Sequence, residues 1–561
     1  MNGINVKNEM NGKSDMSGMN DKQKNNESGA SILKSRKFLY LTEFFSGMSV
    51  MAAELGASRL LAPYFSSSQI VWTIIIGTIM IAMALGNIYG GRSADKNPDP
   101  DKLYLRILIA GIWLALIPVL GKYVIIGISG LVILSVSSAY LVWAALAACL
   151  VVFVFPLFML GTVTPSLAKY TTDSLEENGR VIGRLGAANT IGSIIGTFTP
   201  TFITIPTVGT SITFLIFAGI LIILSAVYFL SQKKHRKRLA VCAAIFAVCC
   251  VFGRSDSFAF WEKDLAYEGE SVYNYLQVKE DDDSVTLSTN VLFGVQSVLM
   301  KSDELTGLYY DYAMAAPLMT GKDPSEASIL ILGMGTGTYA TQCQRFFGTT
   351  DIEGVEIDEK ITDLAHAYFE LSDDVPVTTC DGRAFIGLTD KKYDVIMVDA
   401  YQDITIPFQM SSTEFFELVK DHLNTGGVMV VNMNMRNEGE EGINQYLTDT
   451  IAAVFPNIYT VDVPGATNRE LFASESGEMV NNLLKGAEEV EDASCRGFMK
   501  KTGSNLVRPE TGNRIMTDDK APVELLGMRA IDGIIRTELG YYRDIYEEEG
   551  IKGLLKYIMQ Q

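Results

Sequence analysis

Histidine is nearly missing from this chain: 561 residues contain three, His235, His366 and His422, far apart in sequence. A histidine-based metal centre or a Ser/His/Asp triad therefore has little to be built from. The seven cysteines, at 149, 242, 249, 250, 343, 380 and 495, include no C-x-x-C pair, which removes the ligand pattern of zinc ribbons and dithiol redox sites. They read as free thiols in a reducing compartment, and no metal site is expected.

Basic residues are short in the second half. Residues 255–561 carry 24 Lys/Arg against 53 Asp/Glu, a net of −29, whereas residues 1–254 carry 22 against 12, a net of +10. A surface so acidic repels phosphate backbones, so nucleic acid is excluded as a partner. The same field gathers small cations such as polyamines, although a solvated acidic surface accounts for it equally.

The first half instead lacks charge over long runs. Stretches 60–91, 107–121, 123–168, 185–232 and 239–253 contain no Asp, Glu, Lys or Arg. A membrane span needs about 20 mostly apolar residues, so these runs predict six to eight helices, most simply seven, after a polar tail over 1–33. The basic "KSRK" at 34–37, the Arg92–Arg106 and Lys169–Arg184 loops and "KKHRKR" at 233–238 fall on one side if 123–168 crosses an odd number of times. By the excess of Lys/Arg in cytoplasmic loops, that side is cytoplasmic. Whether 239–253 also crosses stays open, and with it the side on which the second half emerges. Glu43, Glu54 and Arg59 lie in the first helix. Charges there point either to a cation or polyamine path or to structural pairing, of Glu54 with Arg59 or of either Glu with a neighbouring helix.

From about residue 268 the pattern changes. "SVYNYLQVKE", "SVTLSTN" and "VQSVLMKS" alternate like antiparallel strands. Strand and helix patterns then take turns from "ASILILGMG" to "VMVVNMN", which predicts a doubly wound parallel sheet. Ligands in such folds bind beyond the carboxyl ends of the strands, where four features fall in order. Gly333, Gly335 and Gly337 end the first strand and let backbone approach a ligand. Glu356 ends the second, placed for ribose hydroxyls. Asp381 ends the third, able to accept from an adenine amino group, and Asp399 ends the fourth, beside the reaction centre. Together they predict a nucleoside site. The loop lacks the Gly-Lys-Ser/Thr of a phosphate-binding P-loop.

The fold class is thus a multi-pass α-helical membrane bundle followed by an α/β Rossmann-like, methyltransferase-type domain with a small N-terminal β-subdomain. Its divisions are a tail at 1–33, a bundle of about seven helices at 34–254, β-strands at 268–315, the Rossmann-like domain at 316–530 and a C-terminal helical segment at 531–561.

"ILILGMGTGTYA", "GVEIDEKI", "CDGRAFI", "YDVIMVDAYQ", "IPFQMSSTEFF" and "MTDDKAPVE" resemble the spermidine synthase (polyamine aminopropyltransferase) family over about 270–526. "LGASRLLAPYF", "ALGNIYGGRSADK" and "PLFMLGTVTPSLA" are similar to its membrane-fused members. The resemblance implies decarboxylated S-adenosylmethionine as co-substrate, with no permanently bound cofactor, and putrescine or a related amine as acceptor. It implies that Asn274, Gly333, Gly335, Thr336, Gly337, Glu356, Asp381 and Gly382 bind the donor. Asp399 would remove the amine proton, and Gln296, Tyr309, Asp311, Tyr401 and Asp403 would surround the amine. The chain departs from the family pattern where Thr336 replaces an Asp of the glycine loop, where "DAYQD" replaces an Asp-Ser-Ser-Asp-Pro segment, and where Asn274 replaces a Gln. Two other readings follow: a methyltransferase using intact S-adenosylmethionine, and a polyamine transporter or sensor whose soluble half only binds. The expected setting is the cell membrane, with the catalytic part cytoplasmic, the lipid bilayer and an amine as partners and a homodimer as the assembly to test.

Overall fold

The computed structural model describes residues 35–533 apart from 137, 172–177, 256, 263–264, 292–294, 303, 401–406 and 434–441, together with 535–536, 545–546, 548 and 550. These residues form two compact units. One comprises the chain up to residue 57 with 76–122 and 149–255; the other comprises 58–75, 123–148 and the chain from 256 onward.

The helices are α1 (Arg36–Phe65), α2 (Gln69–Lys96), α3 (Pro100–Ser135), α4 (Tyr140–Val152), α5 (Val154–Gly161), α6 (Val163–Thr171), α7 (Asn178–Thr199), α8 (Ile205–Ser231) and α9 (Arg236–Phe252). Among the described residues, three stretches are long and apolar enough to cross a membrane: Gln69–Lys96, Pro100–Ser135 and Asn178–Ser231. A fourth is added if Tyr140–Val152 and Val154–Thr171, bent by 50°, are one span. About seven spans were expected. The smaller number has identifiable causes: α1 carries Glu43, Glu54 and Arg59, α9 has only 17 residues, and 178–231 continues through the π-helical turn Pro200–Thr204 and a kink at Gly209 (φ +80°).

Small residues bring backbones together inside the first unit. A Cβ on Gly192 would lie 2.0 Å from the Phe44 carbonyl oxygen, and one on Gly196 2.1 Å from that of Met48, so α7 packs on α1 at glycine distance. Glu43 is buried there and accepts from Thr164 Oγ1 (2.5 Å) and Asn189 Nδ2 (2.8 Å), a pairing with neighbouring helices. Arg59 belongs to the second unit and donates to the carbonyls of Ser271 (3.3 Å) and Val272.

That second unit does not begin at the expected boundary of 254. It includes the end of α1, whose Pro63 carbonyl accepts from Val291 N at 2.9 Å, and the start of α4, where Tyr140 N donates to Asp532 at 3.0 Å. Its first sheet is antiparallel, β1 (Leu265–Glu270), β2 (Tyr275–Glu280), β3 (Ser284–Ser288) and β4 (Ser297–Met300), in the order 1-2-3-4. Helices α10 (Tyr309–Ala313) and α11 (Ala315–Met319) lead to the second sheet. This contains β5 (Ile329–Leu332), β6 (Ile352–Glu356), β7 (Val377–Thr379), β8 (Tyr393–Val398), β9 (Leu423–Met433), β10 (Asn457–Asp462) and β11 (Arg469–Ser474) in the order 10-11-9-8-5-6-7. Strands β5 to β9 pair in parallel, and β11 inserts antiparallel between β9 and β10.

Strand β5 reads apolar at every position and β8 at all but Asp394, as expected where helices cover both faces, and both strands are buried throughout. Between them come α12 (Thr338–Phe347), α13 (Glu359–Tyr368), α14 (Gly382–Ile386) and α15 (Thr413–Asp421). Asp358, Asp381 and Ser412 accept hydrogen bonds from backbone N–H groups in the first turns of α13, α14 and α15 and so cap them. Strand order reverses between β5 and β8, and the crevice at such a switch point is where this architecture holds ligands.

Candidate active site

The loop after β5 is held open by its glycines. Gly333, Gly335 and Gly337 have φ of +90°, +53° and +80°, a region that L side chains avoid. At Gly333 space is limiting as well, because a Cβ would come within 2.6 Å of Ala400 Cα. The loops that follow β5 and β8 therefore touch, and Asp399 is brought beside the glycine turn.

A cavity of about 790 Å³ opens there. Gly333, Gly335, Glu356, Asp381, Gly382 and Asp399 line it from the sheet side; Gln296, Tyr309 and Tyr310 line it from the β-subdomain and α10. No Lys, Arg or His lies among the described residues of its wall, whereas three carboxylates do. A wall of that sign favours a cationic ligand.

Each acid is held differently. Glu356 accepts from Gly335 N (2.9 Å) and Asp358 N (3.1 Å), which turns its side chain toward the loop. Burial raises its pKa, against the lowering by those N–H groups. Asp381 caps α14 with one oxygen, taken by Ala384 N at 2.9 Å. The Asp399 carboxylate accepts from Tyr309 OH (2.7 Å) at one oxygen and from Asn432 Nδ2 (2.8 Å) at the other. Burial pushes it up to about 7, the charge of Glu356 adds to this, and the two hydrogen bonds oppose it. An acid poised near neutrality suits general-base work.

Several expected site residues stand elsewhere. Thr336 is 1% exposed, with its hydroxyl 3.3 Å from that of Thr338, and neither it nor Gly337 reaches the wall. Their peptides shape the turn while their side-chain positions face the interior. Asn274 lies behind the wall, donating to Asp358 at 3.0 Å, so it supports the segment after Glu356. Asp311 is fully buried and binds Gly307 N (2.6 Å) and Gln342 Nε2 (3.4 Å), which keeps its carboxylate out of the cavity. Tyr401 and Asp403 lie outside the described residues.

Other wall residues were not anticipated: Tyr273, Met334, Asn432, Thr467 and Asn468. Asn432 had a signal, an amide in the apolar run "VMVVNM" of β9. Asn468 had none, since only the antiparallel return of β11 carries it beside Asn432, to whose Oδ1 it donates at 2.9 Å.

Sheet order, glycine turn and the acids after successive strands together define a Rossmann-like transferase of the methyltransferase fold type. A Spermine/spermidine synthase domain matches residues 308–483. A "Probable polyamine aminopropyl transferase" of Bifidobacterium longum is 53% identical over 347 residues, covering 59% of this chain and 77% of that protein. A polyamine aminopropyltransferase of Vibrio vulnificus is 26% identical over 296 residues, covering 50% of this chain and 97% of its own. Among solved structures, a probable spermidine synthase from Corynebacterium glutamicum aligns with 17% identity over 45% of this chain and 98% of that one, at a TM-score of 0.34. The chain belongs to the polyamine aminopropyltransferase family and is a transferase of the spermidine synthase type.

Proposed function

We propose that this protein transfers the aminopropyl group of decarboxylated S-adenosylmethionine to putrescine or a related amine. The observation that carries this reading is Asp399, a carboxylate poised near 7 by burial at the edge of a cavity walled by acids. Glu356 would hold the ribose hydroxyls and Asp381 the adenine amino group. The attacking amine nitrogen, beside Asp399, forms a bond to the carbon next to the sulfonium. The carbon–sulfur bond breaks with its electron pair going to sulfur, which leaves neutral methylthioadenosine. The proton released from nitrogen goes to Asp399. Most of the acceleration then comes from holding nitrogen and carbon in line and accepting the proton.

The decarboxylated donor is favoured over the intact one on charge. An intact donor would bring a carboxylate into a wall with no described cationic side chain and three acids. Thr336 is turned away from that wall, so the lost acid at this position does not argue for a methyl donor. Incubating the full chain with each donor and a diamine tests this: methylthioadenosine from the decarboxylated donor supports the reading. S-adenosylhomocysteine from the intact donor would replace it with methyl transfer.

The N-terminal helices are proposed to hold the enzyme in the cell membrane with the catalytic unit cytoplasmic. Alkaline carbonate should leave the chain in the membrane pellet, and protease added to sealed, right-side-out cells should spare the catalytic unit. Release by carbonate, or external cleavage of that unit, would overturn the corresponding claim.

A further inference from the structure

Strand β11 carries a carboxylate that the chemistry above leaves unused. Glu470 is 0% exposed, and neither of its oxygens has a hydrogen-bond partner among the described residues. Strand geometry fixes its position relative to the cavity. It is the direct partner of Asn432 in the antiparallel β9–β11 pairing, and it follows Asn468 by two residues, the spacing that returns to one side of an extended chain. Asn432 and Asn468 both line the cavity, bonded to each other and, through Asn432, to Asp399. Glu470 is not itself among the described residues of the wall; it lies beyond the two asparagines on the side of the sheet they share.

A buried carboxylate without a donor is unfavourable whether neutral or charged. Where a chain breaks such a rule with no internal compensation, a functional partner is the expected explanation. The titratable groups on surrounding elements include Asp399 after β8, Tyr339 on α12, Tyr459 and Asp462 on β10, and Tyr309, Tyr310, Asp311 and Tyr312 on α10, which packs against β11. None is cationic. The adjacent Arg469 alternates to the opposite side of the strand and is bound by Asp462 at 2.5 Å. Burial, with Asp399 adding to it, holds the Glu470 carboxyl well above its usual range.

We propose that Glu470 receives the second ammonium of the acceptor: an α,ω-diamine places its attacking nitrogen at Asp399 and its other, cationic end past Asn432 and Asn468 against Glu470. This rests on the aminopropyl-transfer reading of the same cavity and makes the acceptor a diamine rather than a monoamine. The arriving ammonium supplies the missing donor, three N–H groups for two carboxylate oxygens, and the proton that Glu470 gives up passes to solvent.

The test compares putrescine with n-butylamine, which lacks the second ammonium, in the full chain and in Glu470→Gln and Glu470→Asp. The Gln variant should raise the putrescine KM about tenfold or more, with the donor KM and n-butylamine turnover unchanged. Equal losses for both amines, or an unchanged putrescine KM, would overturn the proposal. Should the Gln variant fail to fold by thermal melt, the Asp variant, which keeps the charge and shortens the reach, must still raise the putrescine KM. Calorimetry of putrescine binding to the methylthioadenosine-loaded chain needs no turnover. A proton released on binding to wild type and absent in the Gln variant supports the site; identical proton release in both counts against it. If wild type turns over no amine, aminopropyl transfer fails, while this binding comparison still decides Glu470.

Discussion

Replacing Tyr309 with Phe tests how the base is set. Asp399 stands at about 7 because burial outweighs hydrogen bonds of 2.7 Å from Tyr309 and 2.8 Å from Asn432. Moving a proton to it from an alkylammonium of pKa about 10.4 is uphill by roughly 3 units, or about 5 kcal/mol. For an ordinary aspartate near 3.9 the same transfer would cost about 9 kcal/mol. Burial therefore lowers this part of the barrier by roughly 4 kcal/mol. The ionised form is the active one, so kcat/KM should fall about tenfold per pH unit below about 7 and hold above it until the amine itself titrates. Tyr309→Phe removes a donor that favours the charged form, worth roughly 1.5–3 kcal/mol, which moves the acid limb up by about one to two units. Activity at pH 7 should drop roughly 10- to 100-fold and largely recover near pH 9. Methylthioadenosine formation, followed across the acid and alkaline limbs at saturating donor, reads this directly. A wild-type limb near 4, or a Phe variant whose limb stays put or moves down, would refute the reasoning.

Other perturbations have equally definite outcomes. Glu356→Gln removes the charge expected at the ribose and should weaken donor binding by about 10- to 100-fold without changing amine affinity, as read by calorimetry. Gly333→Ala places a Cβ within 2.6 Å of Ala400 Cα at φ +90°, where both partners are backbone. It should cost 2 kcal/mol or more, on the order of the left-handed penalty plus the displaced loop, and donor binding should be lost with stability in denaturant titration. Arg59→Ala frees the turn at Ser271 and Val272, which leads into the wall residue Tyr273 and into Asn274, the support of Asp358. It should lower stability by about 1–3 kcal/mol and raise the KM for donor several-fold, though Arg59 is remote in sequence from every expected site residue; an unchanged KM would show that the turn is rigid without it.

Much of the catalytic half could be read in advance because its signals are local. Glycines at a strand end, an acid after each of the next three strands and the alternation of apolar runs all depend on neighbours within about 30 residues, the size of one βαβ unit. Gly333, Glu356, Asp381 and Asp399 accordingly appear on one cavity wall. The misplaced residues, Thr336, Asn274 and Asp311, were assigned from position in a motif, which gives the place in the chain but not the side toward which a side chain turns. The partition of the N-terminal helices between two units was not legible either, since it depends on contacts such as Pro63 with Val291 across more than 200 residues.

By itself, then, the sequence determined an apolar helical half, an acidic α/β half and the succession of a glycine turn and three acids from which a nucleoside site is expected. Period and composition carry those features, and any chain with them must bury and expose the same groups. Only the tertiary structure decided which acids share the cavity and what holds them: Asn432 and Tyr309 on Asp399, Gly335 on Glu356, and Glu470 with no hydrogen-bond partner among the described residues. Those relations arise from the antiparallel insertion of β11 and from the turn of α10 over the sheet. They set desolvation and hydrogen bonding, and through these the protonation on which the proposed chemistry depends.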